Sequence, residues 1–94
     1  MAIVNFQPTT SSQTSSTLTV ASGETTAQVL QENANDTSVM IQIQPTGGPS
    51  GVWFEVIKSG ALGNEITVAA GDKLRAVCNR APTSAGTYVV LRSF

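Results

Sequence analysis

The sequence predicts an all-β protein, an antiparallel β-sandwich of about eight short strands with an extended N-terminal arm. Three observations carry this. Apolar and polar residues alternate with period two in run after run, as in "SVMIQIQ" at 38–44, the pattern of a strand with one buried and one wet face. Gly, Pro, Asn and Asp punctuate these runs at short, even intervals, as in sandwiches and small barrels. No long stretch carries a helical repeat. The rival helix, "TTAQVLQENA" at 25–34, is rich in Thr and Asn and holds a Val, all weak helix formers.

Residues 2–6 form a short β-prone run that Gln7 and Pro8 close. Eight of the nine residues at 9–17 are Ser or Thr, a composition with too little apolar area to fold alone. Residues 1–17 are therefore expected to be an arm that orders against a neighbour or drapes loosely, and 18–94 the sandwich. In "TLTVA", Leu18 and Val20 share a face, and "SGE" at 22–24 turns the chain. "TTAQVLQ" offers Ala27 and Val29, or Leu30 if the face switches, and "ENAND" at 32–36 is a polar turn. In 38–44, Val39, Ile41 and Ile43 face one side and Met40, Gln42 and Gln44 the other. "PTGGPSG" at 45–51 is a loop. "VWFEVIK" sets Val52, Phe54 and Val56 against Trp53, Glu55 and Ile57, and "SGALGN" breaks it. "EITVAA", "KLRAVCN" and "GTYVVLRS" complete the set. An immunoglobulin-like sandwich would normally frame its Trp between two Cys, and here one Cys follows Trp53. A jelly-roll-like sandwich is at least as well supported.

The segment "EITVAAGDKLRAVC" at 65–78 gathers an acid and two bases around a glycine. It reads best as a hairpin. Ile66 and Val68 point one way, as do Leu74, Ala76 and Cys78 on the next strand. Gly71 can take positive φ, and the Asp72 carboxylate can bond nearby turn amides. Lys73 and Arg75 then share the opposite face, toward water or a partner. Any role for that face would be salt-sensitive docking on an acidic patch.

Composition excludes more than it names. The chain of 94 residues is 40% hydrophobic and 12% charged, against a usual charged share of about a quarter. Its 22 Ser and Thr make up the difference, and its net charge is −1. Five Lys and Arg scattered from Lys58 to Arg92 form no basic stripe, which argues against nucleic acid. There is no histidine, which removes His-based triads and the commonest zinc ligand. A single Cys excludes an internal disulfide and a cysteine metal site; Cys78 reads as a small buried apolar residue. The six acids fall singly along the chain, with no pair set for glycoside hydrolysis. Glu32, Asn33, Asn35 and Asp36 crowd one turn with oxygens, but lack the alternation and fixed glycine of an EF-hand loop. No metal, cofactor or catalytic residue is expected. The opening "MAIVNFQPTT" has neither a basic n-region nor a long apolar h-region, so no secretory signal is expected, and the sequon at Asn35 reads as accidental. No apolar run reaches membrane-spanning length.

Binding is the remaining class. Trp53 and Phe54 are neighbours in a strand and must face opposite sides, one toward the core and the other outward. Trp53 is thus a core residue, an interface residue or a ligand platform. The run "TTAQVLQENANDTSVMIQIQ…GVWFEV…ITVAAGDKLRAVCNRAPTSAGTYVVLRSF", over roughly residues 25–94, resembles small virion proteins of tailed bacteriophages. The resemblance lies in the order of strands and loops and in the Ala-Ala-Gly turn. It implies a compact β-sandwich serving as a head decoration (cement) protein, a head fibre or a tail component, and it brings no catalytic or ligand residue.

The resulting expectation is a non-enzymatic virion protein, made in host cytoplasm, that binds the major capsid protein as a homotrimer. Ile3, Val4 and Phe6 of the arm, with Trp53, Lys73 and Arg75, are its candidate partner-binding residues. The rival readings are a tail or neck adaptor and a carbohydrate- or receptor-binding module of a fibre. The latter requires Trp53 and Tyr88 in one shallow groove.

Overall fold

A computed structural model describes residues 2–31, 38–58, 65–83 and 85–94. The described residues form nine strands, all paired antiparallel. They are β1 (Ala2–Phe6), β2 (Gln13–Thr14), β3 (Leu18–Thr19), β4 (Thr26–Gln31), β5 (Val39–Gln44), β6 (Phe54–Lys58), β7 (Glu65–Thr67), β8 (Lys73–Cys78) and β9 (Val89–Ser93). Sheet A runs β1-β9-β4-β7; sheet B runs β2-β8-β5-β6, with β3 also on β8.

Strands β2 and β3 are two halves of one edge strand. Gln13 and Thr14 oppose Cys78 and Val77, while Leu18 and Thr19 oppose Leu74 and Lys73. The edge therefore advances four residues, 14 to 18, while β8 advances three, 77 to 74. Counted as one, β2 and β3 leave eight strands that pair as a nested hairpin: β1 with β9, β2/β3 with β8, β4 with β7, and β5 with β6. The pairs β4–β9 and β5–β8 roll this hairpin into two sheets. This is jelly-roll topology, and it decides between the two sandwich types left open by the sequence.

Alternation fills the core from both sheets. Val29, Val39, Ile41, Leu74, Val89 and Leu91 are almost fully buried, each worth about 1.5–3 kcal/mol on transfer from water. Ala27, Val68, Ala76 and Cys78 join them, and Ile43 and Ile66 pack against the cluster. The inward faces expected for 27–29, 39–43, 66–68 and 74–78 are those observed.

The expected arm is instead part of the domain. β1 pairs with β9 over its whole length, Ala2 opposite Ser93 through Phe6 opposite Val89. Val4 and Phe6 point into the core, and Ile3 and Asn5 point out. Val4 and Phe6 are therefore core residues, unavailable to a partner. The Ser/Thr-rich segment is ordered by its own side chains. Gln13 Oε1 accepts from the amides of Thr9 and Thr10 at 2.7 and 3.0 Å. At the register shift, Ser15 donates its amide to the Ala76 carbonyl and its Oγ accepts from the Ala76 amide, both at 2.8 Å. A hydroxyl thus replaces a carbonyl that the edge strand has carried out of register.

β6 is the far edge of sheet B. Ile41 opposes Ile57 but Gln42 opposes Glu55, which leaves Val56 as an extra, bulged residue. Val52, Phe54 and Val56 are 40%, 52% and 38% exposed, so this apolar face lies at the rim. Neither Trp53 nor Phe54 is a core residue.

Candidate functional site

Three of the residues singled out by the sequence meet on the outer face of sheet B. Leu74, Ala76 and Cys78 are buried, so Lys73, Arg75 and Val77 of β8 point outward. Gln44, Gln42 and Met40 of β5 lie opposite these three in turn. Glu55 of β6 lies across from Gln42, and makes a row Arg75–Gln42–Glu55 over three strands.

Arg75 is held within this row. Its Nε donates to Gln42 Oε1 at 3.0 Å, and its guanidinium carbon sits 4.1 Å from the centre of the Trp53 ring. That distance is well inside cation–π range, and stacking suits the flat, weakly hydrated guanidinium. One edge of the fork is tied down and one face covered, while the Nη groups have no partner among the described residues. Lys73 is exposed two positions away on the same face.

The loop leading to Trp53 is pinned. Asp72 accepts from the Thr46 amide on Oδ1 at 2.9 Å and from the Ala69 amide on Oδ2 at 3.0 Å. Thr46 Oγ1 donates to the Ala70 carbonyl at 3.1 Å, and the Gly51 amide donates to Gln44 Oε1 at 3.2 Å. Burial raises the Asp72 pKa, but bonding from the Thr46 and Ala69 amides outweighs it and leaves the carboxyl below its ordinary 3.8. The turn at 69–72 is the one expected, with Gly71 at φ +89°. Its carboxylate anchors that turn to the Thr46 loop.

The outer face of sheet A carries a matching row. Arg92 Nε donates to Gln28 Oε1 at 2.7 Å, and Gln28 Nε2 donates to Glu65 Oε1 at 3.4 Å. Arg92 lies over the Phe94 ring at 4.8 Å. Ile3, opposite Arg92 and 55% exposed, belongs to this face. Of the six candidate partner-binding residues, the structure thus groups Trp53, Lys73 and Arg75, places Ile3 on the opposite sheet, and buries Val4 and Phe6. Gln42, Gln28 and Arg92 were not singled out from the sequence. The available signal was that each falls on the outward phase of an alternating strand.

Tyr88 lies beside sheet A, its hydroxyl donating to Asn5 Oδ1 at 3.0 Å. Trp53 and Tyr88 are on opposite faces of the sandwich, and a shared groove does not exist. At the end of the molecule away from the 69–72 turn, Pro8, Thr9, Pro82, Ala85 and Gly86 line a depression of about 200 Å³ with no charged group. Cys78 is fully buried, its Sγ–H donating to the Arg80 carbonyl at 2.8 Å. Among the described residues no three of His, Cys, Asp and Glu gather into a metal-holding group. Glu32, Asn33, Asn35 and Asp36 lie outside the described residues. Comparison with protein-family models, curated proteins and solved structures returned no match.

Proposed function

We propose that this chain is a structural protein of a bacteriophage particle, a head decoration protein that binds the major capsid protein and stabilises the shell. The observation that carries the reading is the outer face of sheet B. It lies on the paired strands β8, β5 and β6, with Arg75 over the Trp53 ring. Arg, Trp and Met are enriched in protein interfaces, and Trp and Arg among the residues that dominate binding energy. The jelly roll recurs in viral capsid and lectin domains, an analogy of fold and not of function. The lectin alternative loses its footing because Arg75 occupies a face of the Trp53 ring and Tyr88 is on the other sheet.

In this reading the arm is not the docking device, because Val4 and Phe6 hold the core and β1 is paired along its length with β9. The chain acts as a homotrimer at a symmetry junction of the shell. The test is co-sedimentation of the purified protein with empty phage heads that lack it, alongside light scattering of the free protein. Saturable binding to heads and a mass of three chains support the proposal. Binding to tails alone would make the protein an adaptor, and binding to neither refutes the reading.

A further inference from the structure

We infer that the outer face of sheet B is a docking surface for carboxylates displayed by a protein partner, with Arg75 as the anchor and Lys73 as the second charge. This gives the partner's chemistry and rests on the reading above only for the partner's identity.

Charge is distributed unequally over the two faces. On sheet A, Gln28 links Arg92 to Glu65 and the row is closed. On sheet B, the corresponding row has the Arg75–Gln42 bond alone, and Lys73 adds a cation that no described group neutralises. Lys73 and Arg75 against Glu55 leave this face positive on a chain whose net charge is −1.

The geometry of Arg75 selects the anion. Trp53 covers the guanidinium and Gln42 occupies Nε, so the end of the fork, Nη1 and Nη2, is left without a partner among the described residues. That pair of donors matches the two oxygens of a carboxylate. Holding the fork before binding reduces the ordering cost that makes exposed ion pairs weak. A phosphate backbone fits poorly, because two cations make no stripe and Glu55 sits in the same row. Trp53, Met40 and Val77 beside the charges provide apolar contact of the sort a protein surface returns.

The molecule supplies its own reporter, since Trp53 is its one tryptophan. The experiment follows Trp53 emission while a peptide of alternating Glu and Val is added to the full chain in low salt. A Gln–Val peptide, inorganic phosphate and oligothymidylate serve as the other probes. The Glu peptide is expected to shift the emission saturably. The effect should disappear in about 1 M salt, where the Debye length is about 3 Å. Lys73→Gln, which leaves the Arg75–Trp53 stack in place, should weaken binding several-fold. Lys73→Gln with Arg75→Gln should weaken it at least about tenfold, a loss of about 1.4 kcal/mol. Arg92→Gln, on the other face, should leave it unchanged. Equal binding of the Gln peptide, unchanged affinity in the double variant, or a stronger response to phosphate or oligothymidylate overturns the inference. Head binding that survives the double substitution also overturns it and leaves the decoration reading standing. Peptide binding by a protein that ignores heads does the reverse.

Discussion

The turns at 21–24 and 69–72 are one design used at two depths. In each, the fourth amide donates to the first carbonyl at 3.1 Å, Glu24 to Ala21 and Asp72 to Ala69. In each, the third residue is a glycine at φ near +90°, +87° at Gly23 and +89° at Gly71, as a type II turn requires. In each, the carboxylate of the fourth residue accepts from the amide of the first, at 2.8 Å for Glu24 and 3.0 Å for Asp72. The difference lies in what else the acid holds. Glu24, half-buried, accepts from the single hydroxyl of Ser93 at the end of β9, at 2.8 Å. Asp72, with 8% of its surface exposed, turns inward and captures a second loop through Thr46. Local sequence makes the turn, and burial decides how much of the molecule depends on it.

Substitutions can break that comparison, and the largest effect is expected at Asp72. Asp72→Ala leaves the Thr46 and Ala69 amides without their acceptor in a mostly buried setting. It should cost about 2–4 kcal/mol in urea unfolding. A loss below about 1 kcal/mol would show that the two loops hold together without it. Next comes Gly71→Ala. The new Cβ would stand 2.7 Å from Thr46 Oγ1 on a backbone at φ +89°, so a cost of about 2 kcal/mol is expected. Gly23→Ala has the same strain at φ +87° but nothing within 4 Å of its Cβ, and about 1 kcal/mol should suffice. Equal melting temperatures for the two glycine variants would mean that the Thr46 contact is irrelevant. Smallest is Glu24→Gln, which keeps an acceptor at an exposed turn and should lower the melting temperature least.

Acid sharpens the same contrast. The Asp72 pKa is lowered in the folded state, so its contribution is complete above the ordinary value of 3.8 and is lost as pH falls through the folded-state pKa. Bonding from the Ala21 amide, then from the Ser93 hydroxyl, lowers Glu24 from 4.5 in the same sense. Stability should therefore fall below about pH 4, and Asp72→Asn should flatten that fall more than Glu24→Gln. Identical acid profiles for the two variants would remove depth as the explanation.

Much of the fold was legible because each face of a strand repeats every second residue. "SVMIQIQ" and "KLRAVC" place Val39, Ile41, Leu74, Ala76 and Cys78 inward, as found. Ala-Ala-Gly-Asp announced its turn through residue chemistry that acts within four positions. The N-terminal segment was misread because its partner is distant. Nothing near Val4 says that it will oppose Leu91, and composition alone made a Ser/Thr tract look unable to fold without a neighbour. Ser15 and Gln13 show how such a tract is ordered, by side chains that substitute for backbone acceptors. "VWFEVIK" misled for another reason. Alternation says which residues share a face but not whether that face is covered, and β6 is an edge with a bulge. On the candidate face, Lys73 and Arg75 could be read from phase. Their company of Gln42 and Trp53 could not, since it depends on strand order.

The nested hairpin also sets the order in which the protein can be assembled. β9 lies between β1 and β4, so sheet A has no centre until residues 89–93 join it. Its pairing with β1 spans almost the whole chain, from Ala2 to Ser93. Loops of that length must close before any contact rewards them, and such high contact order places folding in the millisecond-to-second range. A chain cut before Val89 should show no cooperative transition at all, whereas moving the chain break to the 45–51 loop should speed refolding measurably in stopped flow.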